Sequence, residues 1–142
     1  MAKVSISFPT HSHYTTSQKV RLQDVNYRKH LGHDKLVTMI HEARAEFFAS
    51  IEVFELDDSP QGYILGDLQI MYIEEAFFGD ELMFDIAVNE ISKRSCQLTY
   101  QISKFNEKTL KKVTIAKAKT GVVFYDYDLR KAIPAPQALT RL

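Results

Sequence analysis

Cysteine is almost absent from this 142-residue chain, and the single Cys96 cannot close an internal disulfide. It sits within an alternating apolar stretch, which reads as a buried structural thiol rather than a nucleophile. Net charge is absent as well, with 18 Lys+Arg against 18 Asp+Glu. Nucleic-acid phosphates favour a marked basic excess, so no nucleic-acid partner is expected. No run approaches the ~20 apolar residues that a membrane span needs. The opening Met1-Ala2-Lys3-Val4 lacks the apolar stretch of a secretory signal. These absences leave a cytoplasmic protein as the expectation. What is present is ordinary for a soluble globular chain: 45% hydrophobic and 25% charged residues, enough for one domain with its own core and no need of disulfides or metals.

Along the chain, residues 1–16 show no clean period and read as a loosely attached N-terminal arm, ahead of a domain over 17–136 and a short tail at 137–142. Val20 and Leu22 alternate with Arg21 and Gln23, which predicts a short strand from Lys19 to Asp24. The following Val25–His33 stretch has neither period, contains Gly32 and reads as an ordered loop. Leu36, Ile40, Ala43, Phe47 and Ile51 then recur at helical spacing, with Val37 and Phe48 widening the stripe. Asp34 lies at the start of this helix, where a carboxylate meets orphan N–H groups and the positive dipole end. The helix is expected to fade near Ser50–Val53, before an acidic loop from Glu55 to Pro60.

Everything after Gly62 reads as strands. Ile64, Leu68, Ile70 and Tyr72 share one parity; Leu82, Phe84, Ile86 and Val88 another; Cys96, Leu98, Tyr100 and Ile102 a third. A last strand is predicted over about 112–127, with Gly121 a candidate bulge. Short turns between long strands imply antiparallel hairpins. Pro134 and Pro136 lack donors, so the tail from Lys131 is not expected to extend the sheet. The order is strand, helix, then four strands: an α+β chain in which one long helix is wrapped by a five-stranded antiparallel sheet.

The segment Asp24-Val25-Asn26-Tyr27-Arg28-Lys29-His30-Leu31-Gly32-His33-Asp34, followed by His41-Glu42-Ala43-Arg44, resembles the signature of the hotdog-fold acyl-CoA thioesterases of the 4-hydroxybenzoyl-CoA thioesterase type. Members commonly carry an Asp-x-Asp-x-x-Gly-His-Val-Asn-Asn loop and an Ala-Arg pair after glutamate on the helix. The stretch from Phe124 to Lys131, running into Ile133-Pro134, is similar to the family's closing strand. The resemblance covers roughly residues 17–136 and implies a hotdog fold, an acyl-CoA substrate, no cofactor, and a homodimer or dimer of dimers with each site built from two chains. It also implies that Asp24, Tyr27, Leu31, Gly32 and His33 lie along the substrate. This chain departs from the pattern at three places. Asn26 stands where the family usually has its second aspartate, Lys29 replaces the glycine before the histidine, and Gly32-His33 replaces Asn-Asn.

Thioester hydrolysis needs a polarised carbonyl and an activated water, or a carboxylate that attacks directly. A carboxamide can do neither of the latter, so Asn26 is left as a donor to the carbonyl. Helix N-terminal amides suit an oxyanion, and His30 is placed to hold or deprotonate water. Asp34, Glu42 and Asp24 are the candidate carboxylates. Asp34 is equally a helix cap, and Glu42, almost opposite the apolar stripe, is either solvated or turned towards a partner subunit. Asp24 is expected to pair with a cation, with Arg44, which falls inside the apolar stripe, the candidate. His11-x-His13 and His30-x-x-His33 give two close pairs, but the first lies in the arm and no cysteine set accompanies them, so no metal is expected. Two functions remain open: an acyl-CoA thioesterase, or a non-catalytic acyl-thioester-binding module of the same fold.

Overall fold

A computed structural model of the chain describes residues 4–53 and 59–142; most of the expected acidic loop lies outside them. Leu36, Met39, Ile40, Ala43, Phe47 and Phe48 are buried along one side of helix α1 (His33–Ser50). Its C-terminus is closed by Glu52, which adopts a left-handed φ of 58°. Val53 N–H donates to Phe48 O and Glu52 N–H to Ala49 O, a paired motif that satisfies two orphan carbonyls.

The buried side of α1 faces an antiparallel sheet. Strands β1 (Tyr14–Lys19), β2 (Gln61–Tyr72), β3 (Glu81–Asn89), β4 (Ser95–Asn106) and β5 (Lys111–Asp126) run in the order β1-β3-β4-β5-β2. The core lies where Leu82, Phe84 and Ile86 of β3, Leu98, Tyr100 and Ile102 of β4, and Ala116, Ala118, Val122 and Phe124 of β5 meet the helix. Each set alternates, because only one face of the sheet is covered by α1. Five long strands around one long helix are the hotdog arrangement expected from sequence, and a short sixth strand brings the sheet to six rather than the expected five.

Four local expectations are corrected. The first strand ends, rather than begins, at Lys19; Leu22–Asp24 form a 3-10 turn, closed when the Asp24 carboxylate accepts the Arg21 N–H at 2.9 Å. The strand therefore takes in Tyr14–Thr16 from the presumed arm, and just before it the His13 imidazole accepts the Val88 N–H at 2.9 Å. The β2–β5 irregularity falls between Leu65 and Asp67, so the extra residue is Gly66 and not Gly121, which lies directly opposite Asp67. The tail does touch the sheet: Lys131–Ala132 form a two-residue strand, β6, on β5 before the prolines end it. A single turn, α2 (Gln137–Thr140), follows and buries Leu139.

Candidate active site

The loop before α1 is a tight, self-bonded turn. Asn26 N–H donates to His30 O and Lys29 N–H to Asn26 O, both at 2.9 Å. The Asn26 side-chain oxygen accepts the Arg28 and His30 N–H groups at 3.0 and 3.3 Å. Lys29 has a φ of 66°, the left-handed region that favours glycine; the family's usual glycine at this place thus answers a backbone demand that a lysine meets here. The loop is also tied to the segment between β2 and β3. Leu31 N–H donates to Ala76 O and Phe78 N–H to Lys29 O, and His30 forms an antiparallel bridge with Phe77. Gly32 N–H donates to Asp24 O on the other side.

These ties place His30 at a cavity of about 310 Å³. Leu36, Ile73, Ala76 and Ile115 form its apolar wall, and Tyr72, Glu74 and Glu75 stand opposite the loop residues Leu31, Gly32 and His33. Gly32 caps α1 without a side-chain bond. The first intrahelical bond is Leu36 N–H to Gly32 O, and the N–H groups of His33, Asp34 and Lys35 have no hydrogen-bond partner among the described residues. Three open donors therefore gather at a positive dipole end, and His33, the first of them, lines the cavity, the arrangement that holds an oxyanion. Tyr72 Oη donates to His33 O at 3.0 Å. Burial, and then the Asp34 charge, push the Tyr72 hydroxyl above the usual tyrosine range, so it acts here as a neutral donor.

His30, Leu31, Gly32 and His33 are thus brought together, with Asp34 beside them at the helix start. Asn26 holds the turn through its side-chain oxygen. Tyr27 is 94% exposed and points away from the fold. Asp24 and Glu42 line a different hollow, of about 450 Å³, between α1 and β1, with Lys19, Arg21, Lys35 and Glu46. Asp24 is buried but pairs with Arg21 at 3.6 Å, and not with Arg44. Arg44, 5% exposed, donates instead to Tyr63 Oη at 3.1 Å and Tyr100 Oη at 3.3 Å. Tyr100 in turn shares a 2.8 Å bond with Thr120. Burial works against the Arg44 charge, yet the two tyrosines outweigh it and hold the guanidinium above its ordinary value. Tyr72, Glu74 and Glu75 were missed from sequence; the signal was a carboxylate pair directly after a strand that ends beside the helix start. Among the described residues, no group of three His, Cys, Asp or Glu side chains could hold a metal ion.

Comparison with known proteins gives a consistent answer. The family described as the thioesterase-like superfamily matches residues 20–141. A 1,4-dihydroxy-2-naphthoyl-CoA hydrolase from Microcystis aeruginosa is 32% identical over 108 residues, 73% of each chain. The crystal structure of a 1,4-dihydroxy-2-naphthoyl-CoA thioesterase from Synechocystis superposes with a TM-score of 0.77 at 23% identity, over 91% of this chain and 96% of that one. A 4-hydroxybenzoyl-CoA thioesterase variant, solved with 4-hydroxybenzoyl-CoA, superposes at 0.81 with 16% identity, over 90% and 96%. At those identities the two structures speak for the fold, while the matched profile and the Microcystis sequence speak for kinship. The chain belongs to the thioesterase-like superfamily.

Proposed function

We propose that this protein is an acyl-CoA thioesterase, hydrolysing an acyl or aryl-acyl thioester to the free acid and CoA. The observation that carries the reading is the start of α1: backbone N–H groups without partners where the helix, through Gly32 and His33, meets an apolar-walled cavity that also holds His30. A thioester carbonyl set against those amides gains stabilisation as its oxygen becomes negative, the largest single contribution in most acyl transfers. The acyl group then lies against Leu36, Ile73, Ala76 and Ile115. Asn26 holds the turn that presents His30, and Asp34 sets the local charge at the helix start. Glu42, across the helix in the charged groove, lies outside the reacting set. The Microcystis relative, a CoA thioester hydrolase by name, supports the same chemistry.

A second copy of the chain completes this reading. Strand β2 is 12 residues long and pairs with β5 alone among the described strands. Ile64, Leu65 and Leu68 on it are each 39% exposed. Long apolar edges of that kind are normally blunted or covered, so a homodimer through β2, or a dimer of such dimers, is the expected assembly. No helix of the structure is long and apolar enough to cross a membrane. With a free, buried Cys96 and a CoA substrate, we place the enzyme in the cytoplasm.

The test is thiol release from short, long and aromatic acyl-CoAs. Turnover of at least one class is expected; purified, folded protein that releases no thiol from any of them would sink the proposal.

A further inference from the structure

Asn26 leaves the site without the carboxylate that usually stands in the loop, yet the cavity contains a carboxylate from elsewhere. Glu75 lies on the segment between β2 and β3, and its Oε1 is 3.4 Å from His30 Nδ1. Both residues line the same cavity. The imidazole is held on other sides too: its ring stands edge-on to Phe77 with centroids 5.0 Å apart, and its backbone is fixed by Asn26 and by the bridge to Phe77. The Glu75 backbone is anchored as well, since Lys104 Nζ donates to its carbonyl oxygen at 3.0 Å while lying over the Phe77 ring, and the carboxylate, 65% exposed, reaches the imidazole from the solvent side. The other charged and titratable groups around the pair are Glu74 and Tyr72 on the β2 side, His33 and Asp34 at the helix start, and Lys104 from β4, whose ammonium is taken up by Asp80 at 3.0 Å. Glu75 is therefore the carboxylate that meets the His30 ring.

We propose that Glu75 is the positioning residue of a His30–Glu75 pair that activates the attacking water, in place of the loop carboxylate this chain lacks. The proposal rests on the thioesterase reading for its substrate. A carboxylate at Nδ1 keeps the proton on that nitrogen and leaves Nε2 free to accept one, the orienting task that the third member of a catalytic triad performs. Water adds its oxygen to the thioester carbonyl carbon as its proton passes to Nε2. The carbonyl oxygen takes the negative charge towards the α1 amides. Collapse of the tetrahedral intermediate breaks the C–S bond, and the departing thiolate takes the proton from Nε2. The products are the acid and free thiol, with the imidazole returned to neutrality.

The experiment has two readouts on wild type, Glu75→Ala and Asp34→Asn, each checked for a native circular dichroism spectrum and a cooperative thermal transition. With the acyl-CoA that wild type hydrolyses fastest, Glu75→Ala is expected to lower kcat by about 10²-fold or more, with KM within about twofold. Nitrogen NMR of the His30 ring is expected to show the proton on Nδ1 in wild type and its move towards Nε2 in Glu75→Ala. A wild-type ring already protonated on Nε2 would overturn the proposal. So would a kcat unchanged in Glu75→Ala, or one that falls only in Asp34→Asn. Wild type that releases no thiol removes the thioesterase reading instead, and the NMR measurement then still decides whether the pair exists.

Discussion

Two hollows flank the start of α1, and they differ in kind. The one towards β2 is the smaller, about 310 Å³, and combines an apolar wall with His30, Glu75 and open helix amides. The one towards β1 is larger, about 450 Å³, and is ringed by charges of both signs. Three of those charges are already engaged: Arg21 with Asp24, and Glu46 with the Thr16 hydroxyl at 2.6 Å. Volume alone would favour the second. Chemistry favours the first, because only there do polar groups with spare bonding capacity face a surface that excludes water, where each is worth more than in solvent.

The largest expected effect breaks the symmetry between the two directly. His30→Ala should lower turnover by about 10²-fold or more, the range of a lost general base, whereas Glu42→Ala should leave kcat within about twofold. Thiol release on matched acyl-CoA measures both. Equal losses in the two variants would show that the charged groove takes part in the chemistry.

A second contrast is between a charge beside an open cavity and one sealed in the core. Arg44 lies on the buried side of α1 with hydroxyls for partners, and among the described residues no carboxylate pairs with it. Arg44→Ala removes one buried hydrogen bond from each of the Tyr63 and Tyr100 hydroxyls and opens a void, and should cost about 3 kcal/mol. Arg44→Met keeps most of the volume and removes the desolvated charge, so a change of about 1 kcal/mol or less is expected. Denaturant midpoints distinguish the two. If Met proves as damaging as Ala, the hydrogen bonds to tyrosine, rather than packing, hold this part of the helix.

A smaller effect comes from Cys96, also inside the core. Burial pushes its thiol up to about 12, from 9.0 for an ordinary thiol. The folded state therefore holds the proton more tightly than the unfolded chain. Its contribution to stability is complete below pH 9 and declines as pH rises towards 12. At pH 10 a loss on the order of 1 kcal/mol relative to pH 8 is expected. Urea midpoints should show it, and Cys96→Ala should remove that part of the slope.

The fold was largely readable because its signals are local. Leu36, Ile40, Ala43 and Phe47 keep helical spacing, and Cys96 to Ile102 keep strand spacing, so each element declares which side it buries. The first strand was misplaced because Val20–Asp24 alternates over too few residues to separate a strand from a capped turn. The site divides along the same line. His30, Gly32 and His33 were legible since they share one short loop, whereas Glu75 and Tyr72 arrive from the far end of β2. Nothing in the spacing of residues more than 40 apart along the chain states that Leu31 will bond to Ala76. Arg44 shows the same limit: its place in the apolar stripe was visible, but its partners Tyr63 and Tyr100 are set by strand order, and the nearer Asp24 was the wrong choice.

Asp34 offers the finest test of the difference between the two hollows. It lies in the first turn of α1, and a Cβ placed on Gly32 would come within 2.7 Å of its Oδ1, so the carboxylate folds back over the helix start. Its charge is felt on the cavity side, at the Tyr72 hydroxyl, where it adds to burial in disfavouring ionisation. Asp34→Asn removes that charge and keeps the shape. The Tyr72 hydroxyl should then titrate at lower pH than in wild type, while remaining above the ordinary tyrosine value because burial, the larger cause, is unchanged. Loss of a negative charge in the first turn should cost about 0.5 kcal/mol of stability. Ring-labelled tyrosine NMR across the alkaline range measures the first effect and a denaturant midpoint the second. A Tyr72 midpoint that does not move would mean that solvent screens Asp34 from the cavity, and that its charge belongs with the groove and not with the oxyanion site.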